Sequence, residues 1–436
     1  DLIPLAIYGA LSPDRQARIF NRFNGRRKVV VATNIAETTI TIDGIVYVVD
    51  SGLIKQMELD PISGIQQLDT RPHSQAGCEQ RKGRAGRTQE GICYRMYTEE
   101  SFFDRPQFTT PEILRTSLAG VILTMIDIGI KEIEDFDFID SPDRESFREA
   151  YQTLLMLGAI SSDRKRLTEL GRSMAKLPLE PRIARMLLEA QKHSCIKEVA
   201  TIAAFLSVRN VFFLPRKEEE RYMARQMHAR FKSRESDALT FLKVWEEYKA
   251  SGSDQNWCVA NYLNSKSLQE VAKIREQLFE ILTQVGMEIS ESDDSDAIAK
   301  AVVAGLISNL LEHRSRFSYD AVLREACGNV FIHPGSSLFG VTPRLLVAAE
   351  IIETKKVYAS NCTAVKPEWL PELLPHLCSL GDVELQSYTP GENHVAGRRQ
   401  IIFNGVSYGY REVKVAIDEA KKIQDKRIAE RSEERR

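Results

Sequence analysis

No phosphate-cradling G-x-x-x-x-G-K-[ST] occurs anywhere in the 436 residues, which excludes a P-loop within this chain. The seven cysteines contain no C-x-x-C pair, and no histidines stand at ligand spacing. Cys78 near His73 is the one weak hint of zinc, and it falls short of a ligand set. An odd, unclustered cysteine count suits a reducing compartment. Long apolar runs are missing as well. The longest, "SLAGVILTMIDIGI", is too short to cross a bilayer and contains Asp127. No stretch reads as a signal peptide, and no repeat recurs at a fixed period. Bulk charge is nearly absent, with a formal net of -2, so any nucleic-acid site must rest on local clusters.

What is present suits globular domains. Apolar residues make up 43% and charged residues 28%, and the length allows about three or four domains. Residues 1–110 alternate strand and helix: "KVVVAT" and "GIVYVVDSG" read as buried strands, which implies a parallel sheet covered by helices. The start, "DLIPLAIYGALS", reads as the middle of a domain, with Ser12 and Pro13 opening a helix. Between the second strand and residue 80, two period-2 runs flank "DPISG" and predict a β-hairpin over about 53–70. After Pro111 the texture turns helical. Two amphipathic helices, a short polar hairpin and a helix starting near Thr168 predict a winged helix over 111–178. Residues 179–296 read as a helical bundle. Residues 297–376 carry short strands with turn signals, as in a small β-barrel. Residues 377–436 are expected to be a partly helical extension, its last 26 residues a solvated helix.

Two stretches carry chemistry. In "VVVATNIAETTITIDG", residues 29–44, Thr33 and Asn34 follow a strand directly, at the end where α/β sheets place ligands. Thr38, Thr39 and Thr41 add hydroxyl donors able to hold phosphate oxygens, and Asp43 suits a ribose hydroxyl. An ordinary strand-to-helix loop is the competing reading. The second stretch is "QRKGRAGR", residues 80–87. On a helix, Arg84 and Arg87 would share a face, and planar guanidinium forks match phosphate oxygens. Gly83 and Gly86 cost helix stability, about 1 kcal/mol each against alanine, and leave room for another backbone or a ligand. The competing reading is an idle, solvated basic helix.

In this order and spacing the two stretches resemble motifs V and VI of the DEAH-box (DEAH/RHA) RNA helicases, although Lys82 stands where alanine is commoner. "LTELGRSMAKLPLEPRIARMLL", "EVATIAAFLSVRNVF", "WCVANYLNSKSLQEVAKIREQL" and "VFIHPGSSLFG" extend the resemblance to about residue 376. It implies a second RecA-like domain of the P-loop NTPase fold, a winged helix, a ratchet-like helical domain and an OB-fold barrel. It also implies an ATP-dependent, 3′-to-5′ RNA helicase, the alternative being a non-catalytic RNA- or protein-binding module that keeps the fold. By that resemblance Arg84 and Arg87 are arginine fingers and Gln80 positions the attacking water. Phe20 stacks on adenine, unless it is a core residue of its helix, while Thr41 and Asp43 face nucleotide and ribose. Thr33, Asn34 and Thr39 hold RNA phosphates, with Ser336 in the "HPGSS" loop as a further RNA contact, unless Pro334 and Gly335 simply set a tight turn there. The hairpin tip around Asp60 to Gly64 is a wedge. ATP and Mg²⁺ are the expected cofactors, with the Mg²⁺ ligands on a first RecA-like domain that this chain lacks, so the chain alone is expected to be inactive. The expected partners are single-stranded RNA and an activating protein on the winged helix or OB-fold, and no membrane. The expected location is intracellular, cytoplasmic or nuclear.

Overall fold

The structure, a computed structural model, describes every residue except 1, 9–15, 22, 24, 38–40, 60–65, 88, 316, 324–327, 376, 389–391, 404 and 434–436, and the side chains of 57–59, 66–69, 388 and 426–433. The described chain divides into two compact units. The first comprises Asp1–Leu118, Glu134–Phe147 and Ile352–Lys356, the second Ala119–Ile133, Arg148–Ile351 and Val357–Arg436.

In the first unit β1 (Leu2–Ile7) runs parallel to β2 (Arg27–Ala32), from Leu2↔Arg27 to Ile7↔Ala32. Further along, β3 (Tyr47–Asp50) is followed by the antiparallel pair β4 (Leu53–Leu59) and β5 (Gln66–Pro72). Helix α1 (Gln75–Lys82) precedes β6 (Ile92–Arg95), which pairs parallel with β3. α2 (Glu99–Phe103) closes the run. Parallel neighbours joined by crossovers are the α/β pattern that the β-branched strands predict. The expectation that "KVVVAT" is buried on both faces needs correcting. Val30 packs with Leu5, Ile7 and Ile19 in the core, while Val31 is 64% exposed, because successive strand residues point to opposite faces.

The second unit begins with α3 (Ala119–Asp127) and α4 (Arg144–Met156), the latter reaching into it from residue 144. Ile160 and Leu167 then form an antiparallel bridge. Thr168 caps α5 (Glu169–Ala175) by accepting from Gly171 N at 2.9 Å, an N-cap in the usual sense. This helix, helix, bridge and helix order is that of a winged helix. Helices α6 (Pro181–Lys192), α7 (Ile196–Ser207), α8 (Glu218–Ala229), α9 (Asp237–Ala250), α10 (Gln255–Ala260), α11 (Ser265–Gln284) and α12 (Ser295–Leu306) follow.

Next come β7 (Leu310–Ser315), β8 (Ser318–Ala321), β9 (Val330–Ile332), β10 (Leu345–Glu353) and β11 (Val357–Ala364). They pair in the order β11-β9-β8-β7-β10, and β10 also meets β11. The ring is closed, with β9 and β11 parallel, and closure removes the exposed sheet edges. This is the five-stranded OB barrel.

The last sixty residues, expected to be a partly helical extension, also carry a sheet that the sequence reading did not foresee. After α13 (Leu370–Leu373) comes a three-stranded antiparallel sheet: β12 (Cys378–Tyr388), β13 (His394–Phe403) and β14 (Val406–Ala416). Only then does α14 (Ile417–Glu433) begin. The sheet is tied to the barrel: the Tyr408 hydroxyl donates to Glu312 at 2.7 Å. Glu372 accepts from both Lys300 and Arg411.

One ion pair in this unit gives a pH prediction. On α6, Arg185 Nη1 donates to Glu189 Oε2 at 2.7 Å, with both side chains 6% exposed, and Lys192 adds a second donor at 3.0 Å. Burial pushes the Glu189 carboxyl up, but the charge and hydrogen bond of Arg185 outweigh it and hold it at about 2, against 4.5 unperturbed. A carboxylate depressed on folding stabilises the fold above its unfolded pKa. That stability, at most about 3 kcal/mol here, is lost as pH falls from about 4.5 towards 2. The urea midpoint is therefore expected to fall across that window, and Glu189→Gln to flatten the slope. An unchanged slope in the variant would remove Glu189 as its source.

Candidate nucleotide and RNA site

Helix α1 is opened by Ser74, whose hydroxyl accepts from Gly77 N at 3.1 Å. It ends at Lys82, and Gly83 is already its C-cap. Arg84 and Arg87 therefore lie on the turns that follow, not on a shared helix face as the spacing predicts. Gly83 and Gly86, poor helix formers, fall where the helix gives way to turns, and Gly83 keeps right-handed dihedrals (φ −59°). Nor do the two glycines admit a neighbour within the described structure. A Cβ at Gly86 would meet nothing within 4 Å, and one at Gly83 only helix carbonyls at 3.4 and 3.5 Å.

The four cations of the octapeptide have separate fates. Lys82 is exposed and pairs with Glu79 at 3.2 Å. Arg81 turns inward. Its Nε donates to Glu37 Oε1 at 2.7 Å, Nη1 to Asp50 Oδ1 at 2.8 Å and Nη2 to the Leu53 carbonyl at 3.0 Å. Arg84 is half-buried, and its Nη2 donates to the main-chain carbonyl of Glu37. Arg87 is exposed. Burial and the neighbouring charge of Arg87 lower the Arg84 pKa from its ordinary value.

Glu37, which sequence reasoning passed over, is the centre of this cluster. It is 9% exposed, and its Oε2 accepts from His73 Nε2 at 3.2 Å. Burial raises its pKa, but the bonds from His73 and Arg81 outweigh that and hold the carboxyl below the usual range. Asp50, at the end of β3, is depressed in the same way: burial is outweighed by Arg81, Gly52 N and Tyr97. The Tyr97 hydroxyl donates to Asp50 Oδ2 at 2.9 Å. Two glycines make this packing possible. Gly52 has φ +67° and lies against Tyr97, which a Cβ would approach to 2.5 Å. A Cβ at Gly77 would come within 2.0 Å of His73 Nε2. The missed residues lie 31 to 44 positions from Arg81. The one available signal was Glu37 itself, an acid among the Thr, Asn, Ile and Ala residues of Thr33–Ile42.

Around this cluster stand the residues singled out from sequence. Gln80 is exposed in the last turn of α1. Thr33 and Asn34 are exposed on the short turn after β2, whose base is fixed by Thr33 N donating to the Ile7 carbonyl at 3.1 Å. Thr41 and Asp43 are exposed. Thr38 and Thr39 lie outside the described residues, as does the hairpin tip at 60–65. Phe20 is 55% exposed while Ile19 beside it is fully buried, so Phe20 is not a core residue.

Ser336 is a correction. It is 5% exposed, and its hydroxyl donates to Asp237 Oδ2 at 2.6 Å. Asp237 also accepts from Ser337 N at 2.5 Å and Cys362 N at 2.7 Å. The Ser336 carbonyl takes Lys232 Nζ at 3.0 Å. The side chain that was to meet RNA fastens the barrel to the first residue of α9, because a buried carboxylate at a helix start needs donors.

Comparisons with known proteins agree with this architecture. Residues 3–89 match the helicase conserved C-terminal domain, 150–179 the winged-helix and 180–241 the ratchet-like helicase associated domain (HA2), and 298–377 the oligonucleotide/oligosaccharide-binding (OB)-fold. The chain is 38% identical over 385 residues to the ATP-dependent RNA helicase HrpA of Escherichia coli (strain K12), covering 86% of this chain and 29% of that protein. It is 38% identical over 381 residues to the probable ATP-dependent RNA helicase DHX35 of Homo sapiens, covering 86% of this chain and 54% of that one. Against DHX35 of Pongo abelii it is 37% identical over 410 residues, covering 93% and 55%. The chain thus spans about half the length of the DHX35 proteins and under a third of HrpA. Among the described residues no helix is long and apolar enough to cross a membrane. With motifs V and VI folded against each other and four helicase domain types matched in order, the chain belongs to the DEAH-box RNA helicase family and corresponds to its C-terminal portion.

Proposed function

We propose that this chain supplies half of the nucleotide site and part of the RNA grip of an ATP-dependent, 3′-to-5′ RNA helicase that moves along single-stranded RNA and unwinds or remodels its targets. The observation that carries the reading is the contact of Arg84 with Glu37. It sets the loop that ends in exposed Thr33 and Asn34 directly against the turn that bears Arg84 and Arg87. In this reading Arg84 and Arg87 neutralise charge on the γ-phosphate and Gln80 orients the attacking water. Phe20 presents its exposed ring to adenine, and Thr41 and Asp43 face the ribose side. Thr33, Asn34 and Thr39 hold backbone phosphates, which position RNA without reading its sequence. Ser336 is left out. ATP supplies the transferable phosphoryl group. Among the described residues no group of three or more His, Cys, Asp or Glu is placed to hold a metal. By the family resemblance, the Mg²⁺ ligands belong to a first RecA-like domain. An activating protein would dock on the winged helix or the OB barrel, and the site of action is intracellular.

The test uses the full-length enzyme and duplexes with a single-stranded overhang. Unwinding is expected with a 3′ overhang and ATP, and not with a 5′ overhang. The 436-residue chain alone is expected to release no phosphate above blank, since phosphoryl transfer needs a P-loop lysine. ATP-independent RNA binding by the full-length protein, with no hydrolysis, would instead support the binding-module reading.

A further inference from the structure

We infer that Arg81 is a positioning residue that makes RNA and nucleotide answer to each other, by holding the RNA-facing loop at Thr33–Glu37 and the turn bearing Arg84 as one piece. The inference rests on the functional reading above and extends it, since Arg81 itself faces neither ligand.

The contact path is short. Arg81 grips the Glu37 carboxylate, and Arg84 grips the carbonyl of the same residue. Glu37 is therefore held at both ends by the octapeptide, with His73 closing its other carboxylate oxygen. A displacement of the loop carries the Glu37 carbonyl, and with it the partner of Arg84. Asp50, fixed by Gly52 N at 2.9 Å and by Tyr97, anchors the far side of the Arg81 fork to β3. Arginine is needed because its donors point in fixed, divergent directions and can span two carboxylates and a carbonyl at once, which an ammonium cannot. Stability alone is a weak reason for such a cluster, because well-packed apolar residues often serve a buried site as well as an ion pair does. Setting one defined arrangement of two loops is what the ionic version adds.

The experiment compares Arg81→Lys, Glu37→Gln and the double variant in the full-length enzyme. The readout is the ratio of RNA-stimulated to unstimulated ATPase, with the thermal midpoint of each variant alongside. Each single variant is expected to lower the stimulation ratio about fivefold or more. The double variant is expected to lose no more than the worse single, because both cut the same link. A wild-type ratio in Arg81→Lys, or losses that multiply in the double variant, would overturn the inference. Should Arg81→Lys melt early, the triple variant Arg81→Met, Glu37→Gln, Asp50→Asn removes every charge of the cluster. It is expected to fold without regaining RNA stimulation, and regained stimulation would refute a positioning role. Arg84→Ala serves as the control: if it leaves hydrolysis intact, the functional reading itself fails, whatever Arg81 does.

Discussion

Arg84→Ala and Arg87→Ala are each expected to lower kcat for ATP hydrolysis in the full-length enzyme by about 10³–10⁵, the range seen for arginine fingers. RNA affinity should change little. The guanidinium acts on charge that develops in the transition state, so its loss appears in kcat and kcat/KM together. Lysine should not rescue Arg87, because a point charge cannot fork across two phosphate oxygens. Lys82→Ala is the internal comparison. Its side chain is 58% exposed and pairs only with Glu79 among the described residues, and exposed pairs of this kind contribute about 0–1 kcal/mol. Its kcat should stay within about fivefold of wild type. Equal losses at Lys82, Arg84 and Arg87 would mean a diffuse basic patch and no finger.

Asp237→Ala should cost the second unit about 3–5 kcal/mol, through unsatisfied buried donors. The variant strands two main-chain N–H groups, Ser337 and Cys362, and the Ser336 hydroxyl. None has water at hand, since Ser336, Ser337 and Cys362 are all buried. The thermal midpoint should fall by roughly 10 °C, taking about 2–4 °C per kcal/mol for a unit of this size. Ser336→Ala removes one donor and keeps the acceptor occupied, so about 1 kcal/mol is expected. A differential scanning experiment on the three proteins ranks them directly. A midpoint for Asp237→Ala within about 2 °C of wild type would show that the carboxylate is not what fastens barrel to helix.

The helical region was the most legible part of the sequence. "PRIARMLLEAQKHS" carries its proline at the first helical position and folds as Pro181–Lys192, since an apolar stripe at helical spacing survives without knowledge of its partner. The barrel strands were legible from turn signals around "GNVFIHP" and "VYASNCTAV". The tail was not. "REVKVAIDEAKK" joins a period-2 strand, with Val413 and Val415 in register with Gly397 and Val395, to a helix that starts at Ile417. The charged residues that follow hid the switch of period. The octapeptide was misread as geometry, because nothing in its sequence shows that α1 stops at Lys82 before Arg84 and Arg87. Ser336 was misassigned for a related reason. A hydroxyl in a polar loop shows its donor and never its acceptor, which here lies 99 residues away. The Glu37–Arg81–Asp50 cluster had no local signal beyond the acid at Glu37 itself, since its members meet only once the strands have paired.

The fastening of Asp237 also sets an order of events during synthesis. Its last donor, Cys362 N, lies 125 residues downstream. A ribosome adding about 5–20 residues per second leaves the start of α9 open for roughly 6–25 s after Asp237 is made. Through that interval the nascent helices carry a solvated carboxylate where the finished protein has a dry joint. The carboxylate keeps the unfinished surface wet and charged until the barrel strand that seals it has emerged.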